Sequence, residues 1–317
     1  MTTRAPEDVI VVDALRKVYD EKEAVAGITF SVRRGEVFGL LGPNGSGKTT
    51  ALETIVGLRR PTSGTVTVLG VDPARDRRRI TERVAVQPQA AALFPTLTVR
   101  ETIQLFASFY GARQDPEAII EEVGLQDEAR ARVKNLSGGQ ERRLLIGIAL
   151  VGKPEILVLD EPSAGLDPAS RRNLWSIIER QRERGTSVLL STHHMDEATQ
   201  VCDRLAILVH GSIAVEGEPD ALIRQYSATA TVSFTLPPTT TGIDINALGL
   251  TGDITTTETY GGTRVAVVTD DADAVLRRLT FTPGLHAFDY AVKHGSLEDV
   301  FLDAADRKPT ESTNVMP

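Results

Sequence analysis

The sequence predicts an α/β fold with a mainly parallel sheet, a helical subdomain in mid-chain and a small α+β module at the C-terminal end. Three observations predict it. Short apolar runs such as Val37–Leu41, Ile156–Leu159 and 187–191 read as buried strands and alternate with helical stretches, the β-α-β order of a parallel sheet with helices on both faces. Residues about 91–152 are mainly helical in pattern, unlike the strand-rich region before them. Composition shifts after Tyr226, where Thr, Ser and Ala alternate with apolar residues from Ala228 to Leu236.

In chain order, Val9–Val12 reads as a first strand that continues through Leu15–Tyr19 to the charged turn Asp20–Glu23. Ile28, Phe30 and Val32 alternate with polar residues as a half-buried strand does. Val37–Leu41 leads into Gly42-Pro43-Asn44-Gly45-Ser46-Gly47-Lys48-Thr49-Thr50, behind which Thr50–Val56 reads as a helix start. Strand, glycine-rich turn and helix together make a phosphate loop. Gly42, Gly45 and Gly47 let successive N–H groups converge, and the helix terminus adds unpaired donors. Lys48 can reach the β- and γ-phosphates of a nucleotide, and the Thr49 hydroxyl can ligate Mg²⁺.

Thr65–Leu69 and Val84–Val86 read as strands, and the Pro in Gln87-Pro88-Gln89 places Gln89 on a loop. Thr98 caps an expected helix over Val99–Tyr110, and residues 115–134 also read as helical. Leu136-Ser137-Gly138-Gly139-Gln140 opens a helix to about Gly152, with Ser137 and Gln140 spaced as a capping pair. Helix 168–184, helix 195–202 and strand 204–209 complete the pattern. Lys48, Asp160 and His193 each follow a strand, and in parallel sheets ligands sit beyond the carboxyl ends. After a break at Pro237–Gly242, strands are expected over Thr251–Glu258, Arg264–Val268 and Ala287–Val292, and helices over Ala272–Leu279 and Ser296–Ala304. Domain limits follow at 8–226, 227–305 and a disordered tail over 306–317.

Hydrophobic residues make up 41% and charged residues 25% of the 317, values of a globular protein. No apolar run approaches the roughly 18 residues of a membrane span. The N-terminal residues lack the apolar core of a secretory leader, so a cytoplasmic location is expected. The single cysteine, Cys202, excludes an intrachain disulfide and a cysteine-based metal cluster. Residues 227–317 hold 12 acids against 6 bases and the first 226 hold 31 against 29, so neither part carries a nucleic-acid binder's basic excess. The local cluster Arg75–Arg79 reads as a solvated helix face, with a contact to lipid headgroups or to a partner's acidic loop as the alternative.

Two further motifs carry chemistry. Asp160 ends an apolar strand, where the carboxylate that holds Mg²⁺ in a phosphate-loop ATPase belongs. Glu161, pointing elsewhere, suits a water attacking the γ-phosphate, either by taking its proton or by aligning it. The helix start at Ser137, Gly138 and Gly139 is a second anion-seeking surface.

Over about residues 8–226 the sequence resembles the ATP-binding subunit of an ABC transporter. The resemblance rests on the loop Gly42–Thr49, the signature Leu136–Gln140, the pair Asp160–Glu161, the loop Ala164-Gly165-Leu166-Asp167, and Ser191-Thr192-His193. It implies a phosphate-loop NTPase with an antiparallel N-terminal β region, using ATP and Mg²⁺. Two copies would pair head to tail, each ATP lying between Lys48 of one and Ser137 of the other, with Gly138, Gly139 and Gln140 beside it. Gln89 would sense Mg²⁺ and the membrane partner, and Asp167 would link the two sites. His193 would contact the γ-phosphate and hold the attacking water with Glu161, while Tyr19 would stack on adenine. Ser163, where Thr is commoner, and Glu141 depart from the pattern without removing a catalytic group.

Gly295–Leu302 resembles the closing segment of the daunorubicin/doxorubicin-resistance exporter ATPases. This implies an ATPase that drives export of a drug, lipid or similar substrate through separate permease subunits, peripheral on the inner face of the cell membrane. The alternatives are the ATPase of a solute importer and an ABC ATPase outside transport. The second conflicts with the short interval from Lys48 to Ser137, which leaves no room for a long coiled coil, and with the single cassette.

Overall fold

The computed structural model describes residues 7–110, 115–226, 229–238 and 248–306. Residues 307–317 of the expected tail, and 239–242 of the expected break, lie outside the described residues. The chain divides into two units, one of Met1–Pro219 with Ala304–Pro317 and one of Asp220–Asp303.

The first unit begins with β1 (Asp8–Tyr19) and β2 (Lys22–Arg33), followed by β3 (Val37–Leu41), α1 (Lys48–Ile55), β4 (Ser63–Val68) and β5 (Val84–Gln87). Then come α2 (Val99–Phe109), α3 (Pro116–Glu122) and α4 (Gly138–Leu150). Strands and helices alternate through β6 (Ile156–Asp160), α5 (Pro168–Glu183), β7 (Ser187–Thr192), α6 (Met195–Val201), β8 (Arg204–Val209) and β9 (Ser212–Gly217).

β1 pairs antiparallel with β2 on one side and β4 on the other. A six-stranded sheet runs β5-β6-β7-β3-β8-β9, parallel except for its β8–β9 edge. Every residue of β3, β6 and β7 is buried, as strands covered on both faces must be. One core joins the two sheets, with Val12, Leu15 and Phe30 packed with Leu40, Ile55, Val158 and Leu189. Phe30 stacks on Phe38 with centroids 5.1 Å apart.

Two capping boxes start the helices of the middle segment. Thr98 Oγ1 accepts from the Glu101 N–H while Glu101 accepts from the Thr98 N–H, and Ser137 and Gln140 do the same at α4. The expected helix over 115–134 is corrected: α3 stops at Glu122. Gly124 takes a left-handed φ of 64°, its N–H bonding Glu121 O at 3.0 Å while the Leu125 N–H bonds Ile120 O at 2.9 Å. That is a Schellman stop, which glycine supplies without steric cost. A turn and the short 3₁₀ segment Val133–Asn135 then lead to Ser137.

β9 was not anticipated. His210 and Gly211, with φ of 49° and 81°, form a two-residue hairpin loop that returns β9 onto β8.

After β9, α7 (Pro219–Tyr226), also unanticipated, leads into the second unit, which contains β10 (Ala230–Leu236), β11 (Asp253–Thr259), β12 (Gly262–Thr269), α8 (Ala272–Phe281), β13 (Phe288–Lys293) and, as far as Asp303, α9 (Leu297–Asp306). The strands form an antiparallel sheet in the order β11-β12-β10-β13. Val232, Phe234, Val265 and Val267 pack with Val275 and Leu279 of α8 as a separate core.

Candidate active site

Parallel register brings three strand ends to one level. Leu41 of β3 stands opposite Thr192 of β7, and Asp160 of β6 opposite Ser191. The Gly42 N–H extends this pairing to Thr192 O at 3.2 Å. Everything that follows β3, β6 and β7 therefore emerges at the same edge.

The glycine loop after β3 is shaped by contacts no side chain could share. A Cβ on Gly42 would lie 2.5 Å from Leu208 O and 2.7 Å from Ser46 Oγ. Gly47 has φ of 105°, and a Cβ there would meet Ala24 O at 2.2 Å. Gly45 is also left-handed. Pro43, Asn44 and Gly45 are exposed, whereas Ser46 is buried with its hydroxyl unpartnered. The first turn of α1 contains no acidic residue, so its free N–H groups and positive end suit an anion. Thr50 lies within α1 and accepts from the Thr54 hydroxyl at 2.7 Å.

Lys48 is only 4% exposed. Its Nζ donates to Gly42 O at 2.8 Å and Pro43 O at 3.1 Å, and lies 3.3 Å from Glu161 Oε1.

Asp160 and Glu161 are adjacent but turned apart. Glu161 has φ of 46°, an unusual conformation for a residue other than glycine. It is held there because its N–H bonds Ser191 O at 3.1 Å and Ser191 Oγ at 3.0 Å. Asp160 Oδ1 accepts from Ser191 Oγ at 2.5 Å and from Thr49 Oγ1 at 3.3 Å. Glu161 Oε2 accepts from Gln89 Nε2 at 3.2 Å, and Oε1 lies 3.4 Å from His193 Nδ1. One buried carboxylate thus meets Lys48, Gln89 and His193. Thr49 and Asp160 offer a hydroxyl and a carboxylate side by side, hard oxygen donors that suit Mg²⁺ when phosphate oxygens complete the set.

Ser137, Gly138, Gly139, Gln140 and Asp167 do not join this cluster. Ser137 and Gly138 are exposed at the start of α4. Gln140 donates to Glu128 at 2.7 Å. Gly139 packs on α5, where its Cβ would lie 2.5 Å from Ser170 Oγ. Asp167 caps α5, accepting from the N–H groups of Ala169 and Ser170 and from Ser170 Oγ at 2.6 Å. Those bonds hold its carboxyl below the usual range, the Ser170 hydroxyl contributing most. Tyr19 ends β1 with its ring under Lys17 Nζ at 5.0 Å and near Arg59 at 5.4 Å.

Sequence reasoning assigned no role to Ser191, whose hydroxyl joins Asp160 to the Glu161 backbone. The available signal was a hydroxyl residue ending an apolar strand directly before Thr192-His193.

The chain matches the family described as ABC transporter over residues 25–164. It is 38% identical over 300 residues to the Nod factor export ATP-binding protein I of Burkholderia orbicola (strain AU 1054), covering 93% of this chain and 96% of that protein. It is 36% identical over 227 residues to the linearmycin resistance ATP-binding protein LnrL of Bacillus subtilis (strain 168), covering 70% of this chain and 73% of that one. Among solved structures, the ATP binding subunit of an ABC transporter aligns with a TM-score of 0.61 and 29% identity, covering 69% of this chain and 93% of that one. A dimeric ATP-binding cassette in a post-hydrolysis state with ADP and Pi has the same fold, with a TM-score of 0.60 and 24% identity over 66% of this chain and 98% of that one.

Proposed function

The chain belongs to the ABC transporter family, as the ATP-binding and ATP-hydrolysing subunit of an exporter, and from that premise we propose that two copies pair head to tail to power separate permease subunits. One observation carries the reading. The loop-bound cluster around Glu161 and the exposed start of α4 are both built to receive anionic groups, yet each is satisfied apart from the other within one chain. A second copy, turned end for end, supplies Ser137, Gly138, Gly139 and Gln140 to the nucleotide bound at Lys48. The dimeric cassette with ADP and Pi supports this pairing by analogy of fold.

Within each site the residues divide the work. Phosphate arriving at the loop competes with Gly42 O, Pro43 O and Glu161 for the Lys48 ammonium. Lys48 moves to the phosphates, and Glu161 is freed for water. Thr49 and Asp160 would hold Mg²⁺, with Gln89 beside it, and the bound ion would neutralise charge on the β- and γ-phosphate oxygens. The water oxygen attacks the γ-phosphorus, the bond to the bridging oxygen breaks, and ADP leaves with that electron pair. Glu161 takes the water's proton or holds the water in line, and His193 braces it from the other side. Tyr19 stacks on the base. Closure follows because the nucleotide touches both copies only when they are closed, the differential affinity a conformational shift requires. Asp167, beside the signature helix, links the two sites.

No helix among the described residues is long and apolar enough to cross a membrane, which supports translocation through other subunits. The reading places residues 8–226 as the nucleotide-binding domain, with its helical part at about 91–152, on the inner face of the cell membrane against the permease. It makes residues 227–305 an accessory module. The cargo named for each relative belongs to that relative. The test is phosphate release from Mg·ATP by the purified chain and by Lys48→Ala. Release by the first and not the second supports the reading; equal release, or none from either, contradicts it.

A further inference from the structure

Glu197 is completely buried, yet it takes no part in the chemistry above. It lies on α6, behind the strand ends. Its Oε1 accepts from the Trp175 indole N–H of α5 at 3.2 Å. The hydroxyls of Thr192 and Ser163 stand near the same carboxyl, whose Oε2, like the Ser163 hydroxyl, is buried without a hydrogen-bond partner. Those two residues come from different loops: Ser163 follows Glu161 by two positions, and Thr192 immediately precedes His193. Thr192 Oγ1 also accepts from the His194 N–H at 3.0 Å, fixing the turn into α6. Arg171 of α5 is a nearby cation, paired with Asp196 at 2.9 Å, and the Cys202 thiol also lies within electrostatic reach of Glu197, while His194 shares the field of Arg171 and Asp196.

A side chain bonded this way has a definite chemical requirement. The Trp175 N–H needs an acceptor, and an ionised carboxylate deep in this site would be costly. A protonated carboxyl satisfies both conditions. One oxygen accepts from the indole, and an O–H on the unpartnered Oε2 would have the equally unpartnered Ser163 hydroxyl near it as an acceptor.

We infer that Glu197 is a positioning residue that works as a neutral carboxyl, tying the Glu161 loop, the His193 loop and α5 into one unit from behind the catalytic cluster. The inference rests on the ATPase reading above for its kinetic consequence and on geometry alone for the contact with Trp175. It also gives Ser163 a role: its completely buried hydroxyl has no hydrogen-bond partner and stands near the Glu197 carboxyl.

The experiment compares Glu197→Gln with Glu197→Ala in the full-length protein. Glutamine keeps an acceptor for Trp175 and a donor for the hydroxyls without charge, so it should keep wild-type kcat and KM. Alanine should lower kcat about 10- to 100-fold with KM for ATP unchanged, because it misplaces Glu161 and His193 without touching the nucleotide. Trp175 is the sole tryptophan, so its emission reports the contact directly. Emission should move in the alanine variant and not in the glutamine variant. A glutamine variant as impaired as alanine, an alanine variant with wild-type kcat, or unmoved emission in alanine would overturn the inference. Should the alanine variant not fold, Trp175→Phe removes only the donor and should lower kcat in the same sense; unchanged kcat there also overturns it. A wild-type chain without ATPase activity would instead count against the proposed function, and Trp175 emission would still decide whether the contact exists.

Discussion

Lys48 Nζ and Glu161 Oε1 lie 3.3 Å apart, with both side chains more than nine-tenths buried. The cation that would bind phosphate is therefore the counter-ion of the carboxylate that would handle water. In the proposed cycle, phosphate arriving at the loop would separate them. The pair is also shielded from the screening that weakens exposed ion pairs.

Removing that charge while keeping the shape isolates its role. Glu161→Gln should still bind ATP, hydrolyse it about 10²- to 10⁴-fold more slowly, and accumulate as an ATP-bound dimer. Phosphate release and sedimentation in the presence of Mg·ATP check this. A monomeric variant with wild-type turnover would contradict it.

The proposed pairing gives Ser137 two separable duties. As the cap of α4 its loss in Ser137→Ala should cost about 1 kcal/mol of stability. As a contact to the partner's nucleotide, its loss should lower turnover while leaving ATP affinity of the dilute monomer unchanged. Nucleotide titration at low protein concentration, set beside turnover at high concentration, separates the two. Weakened binding in the monomer would place Ser137 in its own chain's site.

Gly139 is glycine because Ser170 occupies the space of a Cβ, with Oγ at 2.5 Å and Cβ at 2.9 Å. Gly139→Ala should cost about 1–3 kcal/mol by overpacking. Combining it with Ser170→Gly should cost less than the sum of the two single changes, since the second opens the room the first needs. Thermal unfolding of the four proteins measures the coupling. Strict additivity would show that the helix starts do not press on each other.

Burial, more than any other influence, raises the Glu197 carboxyl above the ordinary range. The folded chain therefore holds this proton where the unfolded chain has lost it. The resulting stability is fully present below the unfolded carboxylate pKa and is lost as pH rises through the folded one. Unfolding midpoints of wild type relative to Glu197→Gln should fall as pH increases across that interval. A difference that stays flat or grows with pH would contradict it.

Local chemistry made much of the cluster readable in advance. A strand, glycine turn and helix must place Lys48 and Thr49 where they are, and an apolar strand ending in Asp160-Glu161 must deliver both to the same sheet edge. The cap at Ser137 was equally local. What escaped depends on partners distant in sequence. Ser191 holds the Glu161 backbone from a neighbouring strand, and Glu197 reaches Trp175 from a third element. The over-long helix after residue 115 missed one local signal, Gly124, whose left-handed conformation ends α3. β9 was missed because its two-residue loop His210-Gly211 is a short signal beside the stronger apolar run of β8.

The most direct test is turnover per chain measured against protein concentration at saturating Mg·ATP. Obligate sharing of each nucleotide predicts a rate per chain that climbs with concentration and levels off as the population becomes dimeric. A constant rate per chain down to dilutions where only monomer sediments would contradict the account.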